Sequence, residues 1–294
     1  MNIEKKTQKK REILKIALNS NSKKDLLGQI ENLIEKNRQI TVVTPNPEFV
    51  VLGEKDRSFA KILNRADFVL PDGSYLFWAK FIQERRREQK NYQKWPLVLK
   101  IFISGFWGIE ASLKIHGGNL AEKRITGTDF MVDLLKLAAA KKWQAFFLGA
   151  GPGIAYKAGE KLKEKIPGLK IAGFFSGNAD PKGDRKSCFE IKKAIRKLKD
   201  KKIELLFVAY GMGKQERWIS RNLPKVPVNL AMGVGGAFDY YSGLVPRAPL
   251  WLRKRGGEWF YRLFKQPWRI KRQLRLLKFL WLVLSEKVFL DFKN

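Results

Sequence analysis

Residues 143–166 read WQAFFLGAGPGIAYKAGEKLKEKI, and the two ends of that stretch follow different patterns. Ala145 to Leu148 is a short apolar and aromatic run of the kind that suits a buried strand. Gly149, Gly151 and Gly153 then break the run on either side of Pro152, which is turn chemistry. The remainder, IAYKAGEKLKEKI, reads as the helix behind the turn. Strand, glycines and helix make one βα unit, and the fold is decided by whether that unit recurs.

It recurs on both sides. Downstream come LKIAGFF (169–175) as a strand, SGNADPKGD as a loop, and a Lys-rich helix over roughly 187–200. IELLFVAYG (203–211) is another strand, KQERWISRN begins a helix, and NLAMGVGGAFDYYSG is a strand running into a Gly-rich turn. Upstream, DLLGQIENLIEKN puts Leu26, Leu27, Ile30, Leu33 and Ile34 on one helical face, with Asp25 as candidate cap. Ile40 to Val43 is a β-branched strand, SFAKILNRA a helix, and DFVL (67–70) a short strand ending in Pro-Asp-Gly. SYLFWAKFIQERRREQK is helical with a basic tail, and RITGTDFMVDLLKLAAAKK is a turn followed by an amphipathic helix. The alternation predicts an α/β fold, a mostly parallel sheet with covering helices.

Three departures divide the chain into a basic lead (1–22), a core (23–245) and an appendage (246–294). Within the core, residues 84–119 read as an insertion, first basic, then aromatic and apolar, then Gly-rich. From Arg247 the texture changes to Trp, Phe, Leu and Arg, and Glu258 is the only carboxylate between Arg247 and Lys278. That basic amphipathic helical appendage, separate from the sheet, reads as lying in a membrane interface. No run of about 20 uncharged apolar residues is present, so no spanning helix is expected. The nearest approaches, residues 96–109 and 276–284, both suit an interface. The N-terminus has no apolar segment of signal-peptide length.

Composition narrows the chemistry. The 294 residues carry 59 Lys+Arg against 28 Asp+Glu, a net charge of +31. Such a surface attracts polyanions, whether nucleic acid, anionic lipid or phosphorylated small molecules. Cys188 is the one cysteine, which rules out an internal disulfide and fits a reducing cytosol. His116 is the one histidine and sits in a loop-like KIHGGN segment, where it reads as solvated. A structural zinc site then lacks ligands, and acid–base work falls to carboxylates.

Polar residues at strand C-termini are where such a sheet binds ligands. In TVVTPNPEFV (41–50), Pro45 and Pro47 hold Thr44 and Asn46 in extended geometry, either as a rigid turn or to aim them at a ligand. Asp72, between Pro71 and Gly73, is a turn residue or a general base facing the crevice with Thr44. Gly149 opens a tight packing turn or a diphosphate contact. Gln215 and Glu216 read as dressing on a helix N-terminus, where acids and amides are favoured. Asp239 follows glycines that allow either close packing or a sugar or nucleotide. The strand after Gly149 ends without an acid for a ribose hydroxyl, which disfavours a nicotinamide oxidoreductase.

In order along the chain, TPNPEFV, ADFVLPDG, RITGTDF, FFLGAGPGIAYKAGEKLKEKIPGLKIAG, VAYGMGKQE and MGVGGAFDYYSGLVPRAPLWLRKRGGEWFYRLFKQPWRIKR resemble the WecG/TagA/CpsF family of bacterial glycosyltransferases. The resemblance implies a Rossmann-like fold and inverting transfer of N-acetylmannosamine or a related sugar. The donor is a UDP-sugar and the acceptor an undecaprenyl-diphosphate-linked N-acetylglucosamine, for teichoic acid or another surface polysaccharide. No cofactor or metal is expected. By motif match Asp72 becomes the catalytic base with Thr44 and Asn46 beside it, while Arg124, Gly127, Asp129, Gly149, Gln215 and Asp239 fall in the substrate-binding positions. Arg247, Arg253, Arg255, Trp259 and Arg262 are left for the acceptor diphosphate or the membrane. Segment 84–119 is longer than the family pattern. The expected partners are the donor, the polyprenyl-linked acceptor and an anionic membrane surface on the cytoplasmic side, with room for a homo-oligomer. The competing reading, a binder of single-stranded nucleic acid, suits the basic stripes and interleaved aromatics. The apolar clusters at 96–109 and 276–284 count against it.

Overall fold

A computed structural model describes residues 14–19, 21–72, 74–116, 125–199, 202–249, 252, 261, 263–264, 270–285 and 288–293. The first strand, β1 (Leu14–Asn19), stands apart from the main sheet. The main sheet comprises β2 (Ile40–Val43), β3 (Phe68–Val69), β4 (Gln144–Gly149), β5 (Lys170–Phe175), β6 (Ile203–Ala209) and β7 (Val228–Gly233). Their spatial order is β3-β2-β7-β6-β4-β5, and every neighbouring pair is parallel. This is the α/β architecture that the alternation predicts. All six strands therefore end along one edge.

Helices cover both faces because alternate strand residues point to opposite sides. Val42, Phe147, Phe207 and Met232 pack against α1 (Lys23–Glu35), α6 (Gly127–Lys141), α7 (Ile154–Lys165) and the short α10 (Ala237–Tyr241). On the other side Val43 and Val69 meet α2 (Pro47–Lys55) and α3 (Arg57–Arg65). There too Phe146, Leu148, Leu206 and Val208 meet α8 (Pro181–Arg196) and α9 (Lys214–Asn222). Phe147 is the hinge of the first layer. It stacks on Phe238 with ring centroids 4.7 Å apart and meets Phe207 and Phe174 edge-on at 5.8 Å. Burying a side chain of that size contributes about 2 kcal/mol, and here it also seats α10 against the end of the sheet.

Local chemistry corrects several boundaries. Asp25, the expected cap of α1, is its third residue. Ser22 is the cap, accepting from the Asp25 amide at 3.2 Å while its hydroxyl donates to the Asp25 carboxylate at 2.6 Å. The loop read over SGNADPKGD is shorter than expected, because Asp180 caps α8 and Pro181 occupies its first turn. His116, read as part of a loop, is the last residue of helix α5 (Leu97–His116).

That helix is the body of the insertion. It packs on α4 (Ser74–Glu88), and Gly108 makes the approach close: a Cβ there would lie 2.7 Å from the Trp78 ring nitrogen, which donates to the Gly108 carbonyl at 3.1 Å. The C-terminal helix α11 (Ile270–Leu284) joins them through Arg86. This arginine donates to Ser104 Oγ of α5 at 3.1 Å and to the carbonyls of Val283 and Leu284 at 2.6 and 3.3 Å. Those carbonyls end α11, so one cation both stitches three helices and favours the negative end of a helix dipole.

The two ends of the chain meet. β1 pairs in parallel with β8 (Val288–Lys293), Leu14 opposite Val288, where the sequence reading places no strand at either site. Asn19 and Asn64 fasten β1 to the core: the Val69 amide donates to Asn19 at 2.6 Å and Asn64 exchanges hydrogen bonds with Ala17 and Lys15. Phe279, Leu282 and Val283 of α11 are buried with Phe49 and Val50 of α2. Among the described residues no helix is long and apolar enough to cross a membrane.

Candidate active site

In spatial order the edge presents Asp72 after β3, Thr44 after β2, Asp239 in the segment after β7, Gln215 after β6 and Gly149 closing β4. Neighbouring parallel strands end side by side, so residues distant in sequence share one edge, where such sheets bind ligands.

The first two residues are locked together. The Leu70 amide donates to Val43 O, and the Asp72 amide donates to Pro45 O, both at 2.8 Å. The short β3 ladder is thereby prolonged into the two loops. Gly127, the first residue of α6, closes the corner. Its amide donates to Asp72 Oδ2 at 3.4 Å, and a Cβ in its place would come within 2.6 Å of Thr44 Oγ1. A carboxylate at a helix N-terminus sits where negative charge is stabilised. Gly127 thus lies against both Thr44 and Asp72.

Asn46 has a structural task as well. With Pro47 as the next residue, it caps α2: its Oδ1 accepts from the Glu48 amide at 2.9 Å. The paired prolines therefore set a strand-to-helix turn, and the side-chain nitrogen is what remains to face a ligand.

Asp129 stands in the first turn of α6. Thr126 caps that helix, accepting from the Asp129 amide at 3.2 Å and donating to its carboxylate at 2.6 Å. Arg247 pairs with Asp129 at 2.7 Å and lies 6.0 Å from the Tyr240 ring, so the chain after α10 is drawn back over the α6 terminus. Asp239 lies in α10, and its carbonyl accepts from the Val245 amide and the Ser242 hydroxyl.

Gln215 is 3% exposed. Its Oε1 accepts from the Gly235 amide at 3.0 Å and its Nε2 donates to Glu216 at 2.8 Å. Glu216, itself 2% exposed, accepts from the Gly213 amide at 2.6 Å, and burial pushes its carboxyl up to about 7. Gly233 makes room for the pair, since a Cβ there would stand 2.5 Å from Gln215. The sequence reading weighs Glu216 only as helix-terminal dressing. Its position three residues after Gly213, the capping-box interval, is the signal for that bond to the Gly213 amide. A Cβ on Gly149 (φ +100°) would stand 2.7 Å from the Ala209 carbonyl carbon, so the turn there is tightly packed, and Gly153 leaves the α7 N-terminus without a side-chain cap. Arg124, Arg253, Arg255, Trp259 and Arg262 lie outside the described residues.

The constellation can do one thing well: hold a carboxylate at a helix N-terminus, with a threonine against the same glycine, beside the ends of two parallel strands. A glycosyl transferase WecG/TagA/CpsF family model matches residues 11–102 and 100–292, its two pieces meeting inside α5. An N-acetylglucosaminyldiphosphoundecaprenol N-acetyl-beta-D-mannosaminyltransferase of Bacillus subtilis is 29% identical over 257 residues, 87% of this chain and 84% of that protein. A protein of the same name from Bacillus spizizenii is 28% identical over 254 residues, 86% of this chain and 82% of its own length.

Proposed function

The chain belongs to the glycosyl transferase WecG/TagA/CpsF family, and from that premise we propose that it moves N-acetylmannosamine, or a related hexosamine, from a UDP donor onto undecaprenyl-diphosphate-linked N-acetylglucosamine. The transfer inverts the anomeric centre and uses no metal. The observation that supports this reading is the Thr44–Gly127–Asp72 corner, where one carboxylate accepts from a helix N-terminus beside the ends of β2 and β3.

In the reaction Asp72 accepts the proton of the acceptor hydroxyl as that oxygen bonds to the sugar C1. The bond from C1 to the donor diphosphate breaks, and UDP leaves with the electron pair. A carboxylate is a weak base for an alcohol, so proton transfer accompanies attack and contributes about 10²–10⁴-fold. Charge growing on UDP is met by the uncapped N-terminus of α7 and by arginines, Arg124 and Arg247 among them. Asn46, Gly127, Asp129, Gly149, Gln215 and Asp239 complete the substrate-binding set, directly or by holding its loops. The acceptor is a lipid, and the enzyme works as a peripheral protein on the cytoplasmic face of the plasma membrane. A run from Tyr261 to Leu284 with seven lysines and arginines, Arg262 among them, and no carboxylate supports that placement, with Arg253, Arg255 and Trp259 just ahead of it. The nucleic-acid reading finds no support in the family match.

The test is direct. Purified protein is offered a panel of UDP-sugars and a synthetic polyprenyl-diphosphate N-acetylglucosamine, with and without a chelator, and the product is analysed by mass and anomeric coupling. A new disaccharide of inverted configuration formed in the presence of chelator is expected. Transfer to water alone, or none with any donor, overturns the reading.

A further inference from the structure

The insertion helix α5 leaves a row of large apolar side chains in solvent. Val98, Phe102 and Phe106, spaced by four residues, are 80, 77 and 68% exposed, with Leu99 beside them. The opposite face of the same helix is fixed. Ser104 and Trp107 are buried, Ser104 is held by Arg86 and Tyr92, and Glu110 pairs with Arg85 at 2.6 Å. The outward stripe is thus imposed by packing, and α5 cannot roll to hide it without breaking the Arg86 junction. The adjoining α11 repeats the pattern, with Leu274, Leu277 and Trp281 outside and Phe279, Leu282 and Val283 inside.

We infer that α5, together with α11, is a bilayer-docking face, and that α5 inserts its Val98–Phe102–Phe106 stripe among the acyl chains of an anionic leaflet. Positive charge bordering an exposed apolar row selects lipid as the occupant. Lys90, Lys94 and Lys100 lead into or lie on α5, and the only carboxylate on that helix, Glu110, is committed to Arg85. A cationic border around an apolar stripe is what an interfacial helix needs, and a helix that cannot span has the interface as its place. The face is also coupled to the chemistry: α4, which carries α5, begins at Ser74, two residues after Asp72. Docking α5 therefore sets the height of the proposed base above the leaflet. This last step rests on the proposed transfer reaction; the docking itself does not.

The experiment uses the full chain with Cys188→Ser and a single cysteine at position 98, 102 or 106, labelled with an environment-sensitive fluorophore. Vesicles containing phosphatidylglycerol should blue-shift all three labels and leave a label at Lys170→Cys unchanged. The triple variant Val98→Ser, Phe102→Ser, Phe106→Ser should lose vesicle partitioning by about a hundredfold. It should keep its thermal melt, and keep turnover on an acceptor with a short water-soluble prenyl chain. Unshifted labels overturn the proposal. So do a shift produced by raising protein concentration without lipid, which would make α5 a self-association face, and a shift produced only by oligonucleotides. If vesicles bind normally while no sugar is transferred, the docking stands and the transfer reading falls.

Discussion

The amide of Gly127 points at the carboxylate of Asp72 across 3.4 Å, and the missing side chain of Gly127 is what lets Thr44 reach the same spot. A helix start, a strand end and a loop converge there with no spare room. Gly127→Ala would put a methyl 2.6 Å from Thr44 Oγ1, and a threonine this short cannot swing its hydroxyl clear without leaving the corner. The expected outcome is a fall in kcat of about 10–100-fold, from misplacement of about 1 Å. Stability should fall as well, by about 1–3 kcal/mol, because the added methyl overpacks the corner. A variant with normal kcat and a lowered melting temperature would show that the glycine serves folding alone.

Asp72→Asn keeps the shape and removes the proton acceptor. Turnover should drop by about 10²–10⁴-fold while binding of the UDP-sugar, followed by calorimetry, is retained. Near-normal turnover would take Asp72 out of the mechanism.

Glu216 gives a stability signature. Its carboxyl is pushed up to about 7 from 4.5 by burial, so the folded chain keeps a proton that the unfolded chain has released. The resulting stabilisation is complete below the unfolded value and is lost as pH rises through about 7, a change of about 3 kcal/mol. Urea titrations at pH 5 and pH 8 should show the native chain weaker at pH 8. Glu216→Gln, which has no proton to lose, should flatten that difference; an undiminished slope would assign it to another group.

Arg86→Ala should cost about 2 kcal/mol, because the carbonyls of Val283 and Leu284 and the Ser104 hydroxyl lose a charged donor. Chemical denaturation would measure it. Exposure of α5 amides to hydrogen exchange should rise ahead of those in the main sheet. Uniform exchange behaviour would mean that the three helices do not depend on this contact.

What the sequence discloses depends on how local the cause is. Ile40 to Val43 is four residues of strand in both readings, because β-branching and the prolines that follow act within a few bonds. The adjacency of β2 and β3, and with it the meeting of Thr44 and Asp72, follows from ordinary βαβ reasoning. The α5 helix is harder to see, because Gly105 and Gly108 interrupt a run whose helical register is held by Trp78 on another element. Asp180 and Pro181 look like turn residues and are a cap and a first turn, two roles that use the same chemistry. Burial of Gln215 and Glu216 is invisible to any scale that treats polar side chains as surface. Only the opposing Gly233 and the amide of Gly235 reveal it. Strands β1 and β8 are the extreme case, since neither has a partner within reach until the whole chain is in place.

That last pairing has a temporal meaning. During synthesis the ribosome releases residues 14–19 long before 288–293 exist, so the small sheet waits until residue 293 has been made. Until then Ile16 and Leu18 have only part of their cover, that of residues 43–69, and lack Phe279 and Leu290; closing so wide a loop is a slow, late event. The stripe on α5 would by then already be made, so a nearby bilayer could capture the protein before its final strand is laid down.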